Sequence, residues 1–209
     1  MDVDGAFVVS ARDRIKLGDK GSYDAVNPEK STLISASPEA FGFLGDNPSG
    51  PIQFVGTKLE ISGRNRSLGL TASEVSLTNE SKLTGNTGAG IYVEATRLVI
   101  SNESQLATMT GNENNGGDIQ IKSAFVEISS GMVNADTKTL GNAGDINIIA
   151  EQIFMNCDTG RFATIRSNTF YSGEESGVGA GGDVSLAANS IQLDVDAVVE
   201  TQSLGSGSV

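Results

Sequence analysis

Ile119-Gln120-Ile121-Lys122-Ser123-Ala124-Phe125-Val126-Glu127-Ile128 decides the fold. Ile119 and Ile121 flank one polar residue, and a second apolar pair, Val126 and Ile128, begins seven positions after the first. Such alternation marks a half-buried strand, because successive side chains point to opposite faces of a sheet. The spacing recurs on both sides: Leu68/Leu70 with Val75/Leu77, Ile91/Val93 with Leu98/Ile100, Ile146/Ile148 with Ile153/Met155, and Val184/Leu186 with Ile191/Leu193. A third apolar residue follows 14 to 16 positions after each unit begins, at Leu83, Leu106, Val133, Phe162 and Val198. The pattern predicts three short strands per repeat.

Successive units begin 23, 28, 27 and 38 residues apart while their internal offsets hardly change, which assigns the length variation to one loop. In a stacked solenoid each strand lies on its equivalent in the next turn, so core positions are pinned while a corner can bulge. The expected fold is all-β, a single-stranded parallel β-helix of about six to seven coils, roughly 30 Å long at about 4.8 Å per coil. Residues 63–209 form the regular repeats. Residues 1–62 read as a further piece of the same solenoid with an inserted segment at 27–51. Within it, Phe7/Val9, Ile15/Leu17 and Tyr23/Ala25 follow at offsets of eight, as three sides of one coil, and Thr32–Ile34 resembles a strand. Ala40–Leu44 reads as a plug on the helix. Ile52/Phe54 and Leu59/Ile61 read as the first two sides of a coil whose third side is shortened. Pro38–Phe43 and Asp194–Val199, the best helix candidates, are too short for more than a turn.

The corners carry their own pattern. Gly116-Gly117-Asp118, Gly144-Asp145 and Gly181-Gly182-Asp183 precede three units, where glycine is expected to supply a positive φ and aspartate to bond backbone amides. Calcium-binding nonapeptide repeats need such an aspartate every nine residues, whereas here it recurs after 27 and 38. Thr78-Asn79-Glu80-Ser81, Ser101-Asn102-Glu103-Ser104, Ser129-Ser130-Gly131 and Asn156-Cys157-Asp158 occupy the next corner, where Asn or Ser can bond its copy above and below in a polar ladder. Asn65, Asn79 and Asn102 are also Asn-x-Ser sequons.

Composition narrows the function. Fourteen basic against 26 acidic residues, net −12, argue against a nucleic-acid partner, whose phosphates demand a Lys/Arg surface. The absence of histidine removes the usual general base and the commonest metal ligand. Cys157 is the one cysteine, so no intrachain disulfide exists. Aromatics are scarce, which suits a thin core of Ile, Val and Leu. No apolar run approaches the ~18 residues of a spanning helix, and Met1–Asp4 has no signal-peptide character, so any export signal is expected upstream. Candidate contact loops are Gly111–Asn115 and Asn168–Val178, the latter within an insert at 161–180 that holds Arg166, Tyr171, Glu174 and Glu175. The pairs Asp194/Asp196 and Glu174/Glu175 lack a basic residue at a matching offset on an adjacent coil. No catalytic, cofactor-binding or metal-ligating residue is therefore expected. A polysaccharide-acting β-helix enzyme and a carbohydrate-binding module are the alternatives. Stacked acids and bases on one face would favour the first, an exposed aromatic row the second.

Gly5–Ser10, Ile15–Asp19, Ser22–Ala25 and above all Ala40-Phe41-Gly42-Phe43-Leu44 resemble the filamentous haemagglutinin family of two-partner secretion exoproteins, as do Gly141–Ile148 and Gly181–Leu186. The amino-terminal half of that family's secretion domain, with its Asn-Pro-Asn-Gly type motif, has no counterpart, and Asn47-Pro48-Ser49-Gly50 lies in another context. The resemblance implies a right-handed parallel β-helix, secreted or displayed at the bacterial outer membrane through a transporter barrel. It also implies adhesion to a receptor or glycan on a host or neighbouring cell. Open solenoid ends offer a route to self-association.

Overall fold

A computed structural model of the chain describes residues 6–17, 20–32, 38–42, 50–110, 115–138, 141–157, 162–170 and 179–204. Strand follows strand in the order β1 Ala6–Ser10, β2 Arg14–Leu17, β3 Gly21–Asp24, β4 Pro38–Gly42, β5 Ile52–Val55, β6 Lys58–Ser62, β7 Ser67–Thr78 and β8 Lys82–Asn86. The series continues through β9 Gly90–Ser101, β10 Gln105–Thr110, β11 Ile119–Ser129, β12 Met132–Thr137, β13 Ile146–Asn156, β14 Ala163–Phe170, β15 Val184–Leu193 and β16 Ala197–Leu204. One parallel sheet runs β1-β7-β9-β11-β13-β15 with β5 also on β7, and a second runs β16-β14-β12-β10-β8-β6. Two sheets, each crossed once per turn, make a parallel β-helix of six coils.

The core consists of axial columns of like residues. Phe7, Leu68, Ile91, Ile119, Ile146 and Val184 are in register, as are Val9, Leu70, Val93, Ile121, Ile148 and Leu186. The second pairs of each unit stack in the same way, Ile52 on Val75 through Ile191 and Phe54 on Leu77 through Leu193. Most of these side chains in the middle coils are fully buried. At about 25 cal/mol per Å² of apolar surface removed from water, such columns are the main stabilising term.

The first two of the three strands expected per repeat are one long, bent strand. Two inward pairs seven residues apart cannot share a face of a straight strand, so the chain must bend between them. At the bend sit Ala72, Ala95, Ser123, Ala150 and Ala188, in register with one another, and the next position of the ladder is unpaired. Only small side chains fit inside that angle. Ser123 Oγ donates to the carbonyls of Thr96 (3.2 Å) and Phe125 (2.9 Å) across it.

Three readings of the third strand change. The column is Leu59, Leu83, Leu106, Val133, Ile165 and Val199. Phe162 is 61% exposed and precedes the strand, while Val198 is in register with Thr164. Extra length therefore lies at two corners, not one: the turn before Ala163 is lengthened as well as the turn after Phe170. In the first coil, Ile52/Phe54 pair with Val75/Leu77, and Leu59/Ile61 pair with Leu83/Gly85, so they form the second and third sides. Its first side is Ala6–Ser10, paired with Ser67–Thr71.

Ile15/Leu17 and Tyr23 lie off the rod. β2 pairs antiparallel with both β3 and β4, and an isolated bridge joins Ser22 to Thr32. An offset of eight fits a hairpin as well as two sides of a coil, because it fixes strand spacing but not direction. Pro38–Gly42 is a strand of this small sheet, whereas Phe43 and Leu44 lie outside the described residues. The excursion leaves and returns at one place. Ala11 N donates to Thr71 O (2.9 Å), Ser73 N donates to Gly50 O (3.3 Å), and a Cβ on Gly50 would lie 3.9 Å from that of Ala11. Asp194–Asp196 is a turn with Asp196 at φ 63°, and the one short helix among the described residues is the 3-10 turn Pro28–Lys30.

At the corners the polar residues bond as expected, while the glycines serve a different need. Glycine before each unit serves close approach: a Cβ on Gly117 would sit 2.0 Å from Ala89 O, on Gly144 2.1 Å from Gly117 O, and on Gly182 2.3 Å from Gly144 O, with none of the three in the left-handed region. The aspartates do bond amides, Asp145 N donating to Asp118 Oδ1 (3.0 Å) and Asp183 N to Asp145 Oδ1 (2.8 Å). At the other corner the ladder is serine. Thr57 N donates to Ser81 Oγ (3.0 Å), Ser81 Oγ to Thr78 O (2.7 Å), and Ser81 N to Ser104 Oγ (3.1 Å). Asn65, Asn79 and Asn102 hold φ of 61°, 56° and 51°, so the sequon asparagines are turn residues suited to left-handed backbone.

Candidate functional site

Outward-facing positions of the long strands build two axial rows. Val8, Gly69, Tyr92, Gln120 and Asn147 form one, and Ser10, Thr71, Glu94, Lys122 and Ile149 the other. Between them lies an open depression of about 420 Å³ that spans five coils, from Val8 to Asn147 and Ile149. A second depression of about 310 Å³ adjoins it towards the strand starts and shares Ser67 and Tyr92; Asn65, Arg66 and Asp118 face it. Together they form a trough crossing the strands, with Tyr92 on the saddle.

Glycine on two sides of Tyr92 shapes that saddle. Its in-register neighbour on one side is Gly69, which presents no side chain, and the ring lies back over Gly90, where a Cβ would come within 3.4 Å of Tyr92 Cε2 and Oη. Tyr92 is 43% exposed. On its other side Gln120 and then Asn147 follow in the same row, and each amide carries both donors and an acceptor.

Charged side chains of both signs face the trough. Glu94 is bridged by Arg12 at 3.6 Å, across from the first coil. Lys122 stands in register with Glu94 yet forms no ion pair among the described residues, leaving an exposed ammonium over the trough. Glu94 and Lys122 line the first depression and Arg66 and Asp118 the second, a balanced set of charges on a chain of net −12.

The residues singled out from the sequence lie elsewhere. Asn168 and Thr169 are buried strand residues of β14 rather than loop, and Arg166, in the same strand, donates from Nε (3.2 Å) and Nη2 (2.9 Å) to Asp136 Oδ2. Asn134 Nδ2 donates to the same oxygen at 2.9 Å. Asn134 Oδ1, Asp136 Oδ1 and Asn168 Oδ1 are buried acceptors without a donor. Residues 111–114 and 171–178, including Tyr171, Glu174 and Glu175, lie outside the described residues. Asn115 Oδ1 accepts from Asn142 N (3.1 Å), a corner contact. Asp194 N donates to Met155 O (2.9 Å), and the Asp194 carboxylate accepts from Gln192 Nε2 (3.1 Å), both holding a turn. Tyr92, Gln120, Lys122 and Asn147 drew no attention in the sequence, although each stands one or three positions after a unit start, where alternation turns it outward.

Fold and trough together define a β-helical rod with an open, partly aromatic surface channel. Comparison with protein-family models, curated proteins and solved structures finds no match.

Proposed function

We propose that this chain is a non-catalytic rod segment of a secreted or surface-displayed bacterial exoprotein, adhesive in the manner of the filamentous haemagglutinins that its sequence resembles. The supporting observation is the unbroken stack of six coils carrying, on one outer face, a trough long enough to hold an extended ligand. In such a device the stack supplies stiffness, because each coil bonds its backbone to the next, and the outer face supplies recognition. The full-length protein would reach the surface through an outer-membrane transporter barrel and meet a receptor or glycan on another cell. Tyr92 standing exposed beside amide side chains also favours the reading as a carbohydrate-binding module, which differs in lacking a role in adhesion.

The test is saturable binding of the labelled chain to whole cells, run beside release of reducing sugar from acidic polysaccharides. Binding that is blocked by unlabelled chain, without sugar release, is the expected result. Sugar release would replace the adhesin by a polysaccharide-acting enzyme.

A further inference from the structure

The trough has the chemistry of a saccharide site, and we infer that it takes a largely neutral, linear oligosaccharide carrying a single carboxylate; this rests on the reading of the rod as a binding element rather than a catalyst. The apolar face of a sugar ring matches the exposed surface of Tyr92. Gln120 and Asn147 follow at one-coil intervals of about 4.8 Å, so amide donors and acceptors recur along the trough as hydroxyls recur along a sugar chain. Lys122 lies one coil from Tyr92 in the adjacent row, exposed and in register with Glu94, which Arg12 approaches at 3.6 Å, and it forms no ion pair among the described residues. An ammonium of this kind selects an anion as a point charge. The remainder of the protein sets the opposite limit: net −12 repels a densely charged polymer at low salt, so one carboxylate is favoured over many.

Three probes separate these elements by titration calorimetry on the whole chain: a xylo-oligosaccharide bearing one glucuronate, neutral xylotetraose, and all-uronate tetragalacturonate. The glucuronate-bearing probe is expected to bind at least about tenfold more tightly than xylotetraose, a difference of about 1.4 kcal/mol, and more tightly than tetragalacturonate. Lys122→Gln removes the preference over xylotetraose, and Tyr92→Ala weakens both probes by about tenfold, with melting midpoints unchanged in both variants. Equal affinity for the neutral probe, strongest binding of tetragalacturonate, no binding of any probe, or variants that bind like the parent would each overturn the inference. Cleavage of the bound glucuronate probe would instead overturn the non-catalytic reading while leaving the ligand class standing.

Discussion

Ile165 and Phe162 compete for one core position, and replacing each by alanine tells which holds it. Ile165 is fully buried between Val133 and Val199 in the third-strand column, whereas Phe162 is 61% exposed. Truncating a buried isoleucine to alanine costs about 2–5 kcal/mol, the spread depending on how far the site collapses. Val199 above it is itself 38% exposed, so relaxation is easier than in the middle of the rod and about 3 kcal/mol is expected. For a chain of this length that lowers the thermal midpoint by about 6–12 °C. Phe162→Ala should stay within about 0.5 kcal/mol, as exposed substitutions do. Urea and thermal melts followed by circular dichroism measure both. Because a coil contacts only its neighbours, the loss falls first on the amides of β12, β14 and β16, where hydrogen exchange localises it. A Phe162→Ala variant as unstable as Ile165→Ala would show that the third side is shifted by three residues, and the register described here would be refuted.

Gly144→Ala places a methyl carbon 2.1 Å from Gly117 O, backbone against backbone, so the coil must move and a loss of about 3 kcal/mol or more is expected in a urea melt; a loss under about 1 kcal/mol would show that this corner is loosely stacked. Arg166→Met leaves the Asp136 carboxylate, 3% exposed, without its charge partner and should cost about 3–5 kcal/mol. Adding Asp136→Asn should recover part of that loss in a double-mutant cycle, and strict additivity would show that the two groups are not coupled. Replacing residues 13–49 by a short glycine linker from Arg12 to Gly50 should leave the rod folded, with the midpoint within a few degrees, since both ends of the excursion dock on the same stretch of β7; collapse of the β-signal would make the antiparallel sheet part of the core.

The coils were legible in the sequence because five inward columns repeat the same apolar requirement from coil to coil. Direction and bending were less so. Ile15/Leu17 and Tyr23 alternate as well as any coil strand, and only pairing distinguishes β2 and β3 as a hairpin. The bend left a signal that a search for apolar pairs passes over, the small residues at Ala72, Ala95, Ser123, Ala150 and Ala188. Phe162 drew the third strand off register because apolarity was weighed without burial, in a unit whose turn is longer than the others. Glycine at 117, 144 and 182 was legible as a requirement but not as the right one, since close approach and positive φ both exclude a side chain.

The trough was hidden for a related reason. Solvent-facing positions carry no shared requirement, so Tyr92, Gln120 and Asn147 look unrelated in the sequence until the ladder places them in one row. The same freedom lets function live there. A change at Ile121 is felt by the columns above and below it, whereas a change at Lys122, one position on, alters only what the rod presents. A β-helix thereby separates its two tasks by the parity of the strand, inward residues holding the stack and outward residues choosing the ligand. Gly69 joins the two tasks. It stands in register with Tyr92, and a Cβ there would meet Val8 Cγ2 at 3.4 Å, close but within reach of a small side-chain adjustment. Gly69→Val should therefore leave the fold in place and cover the ring, which makes the loss of ligand at that position a question of recognition rather than of stability.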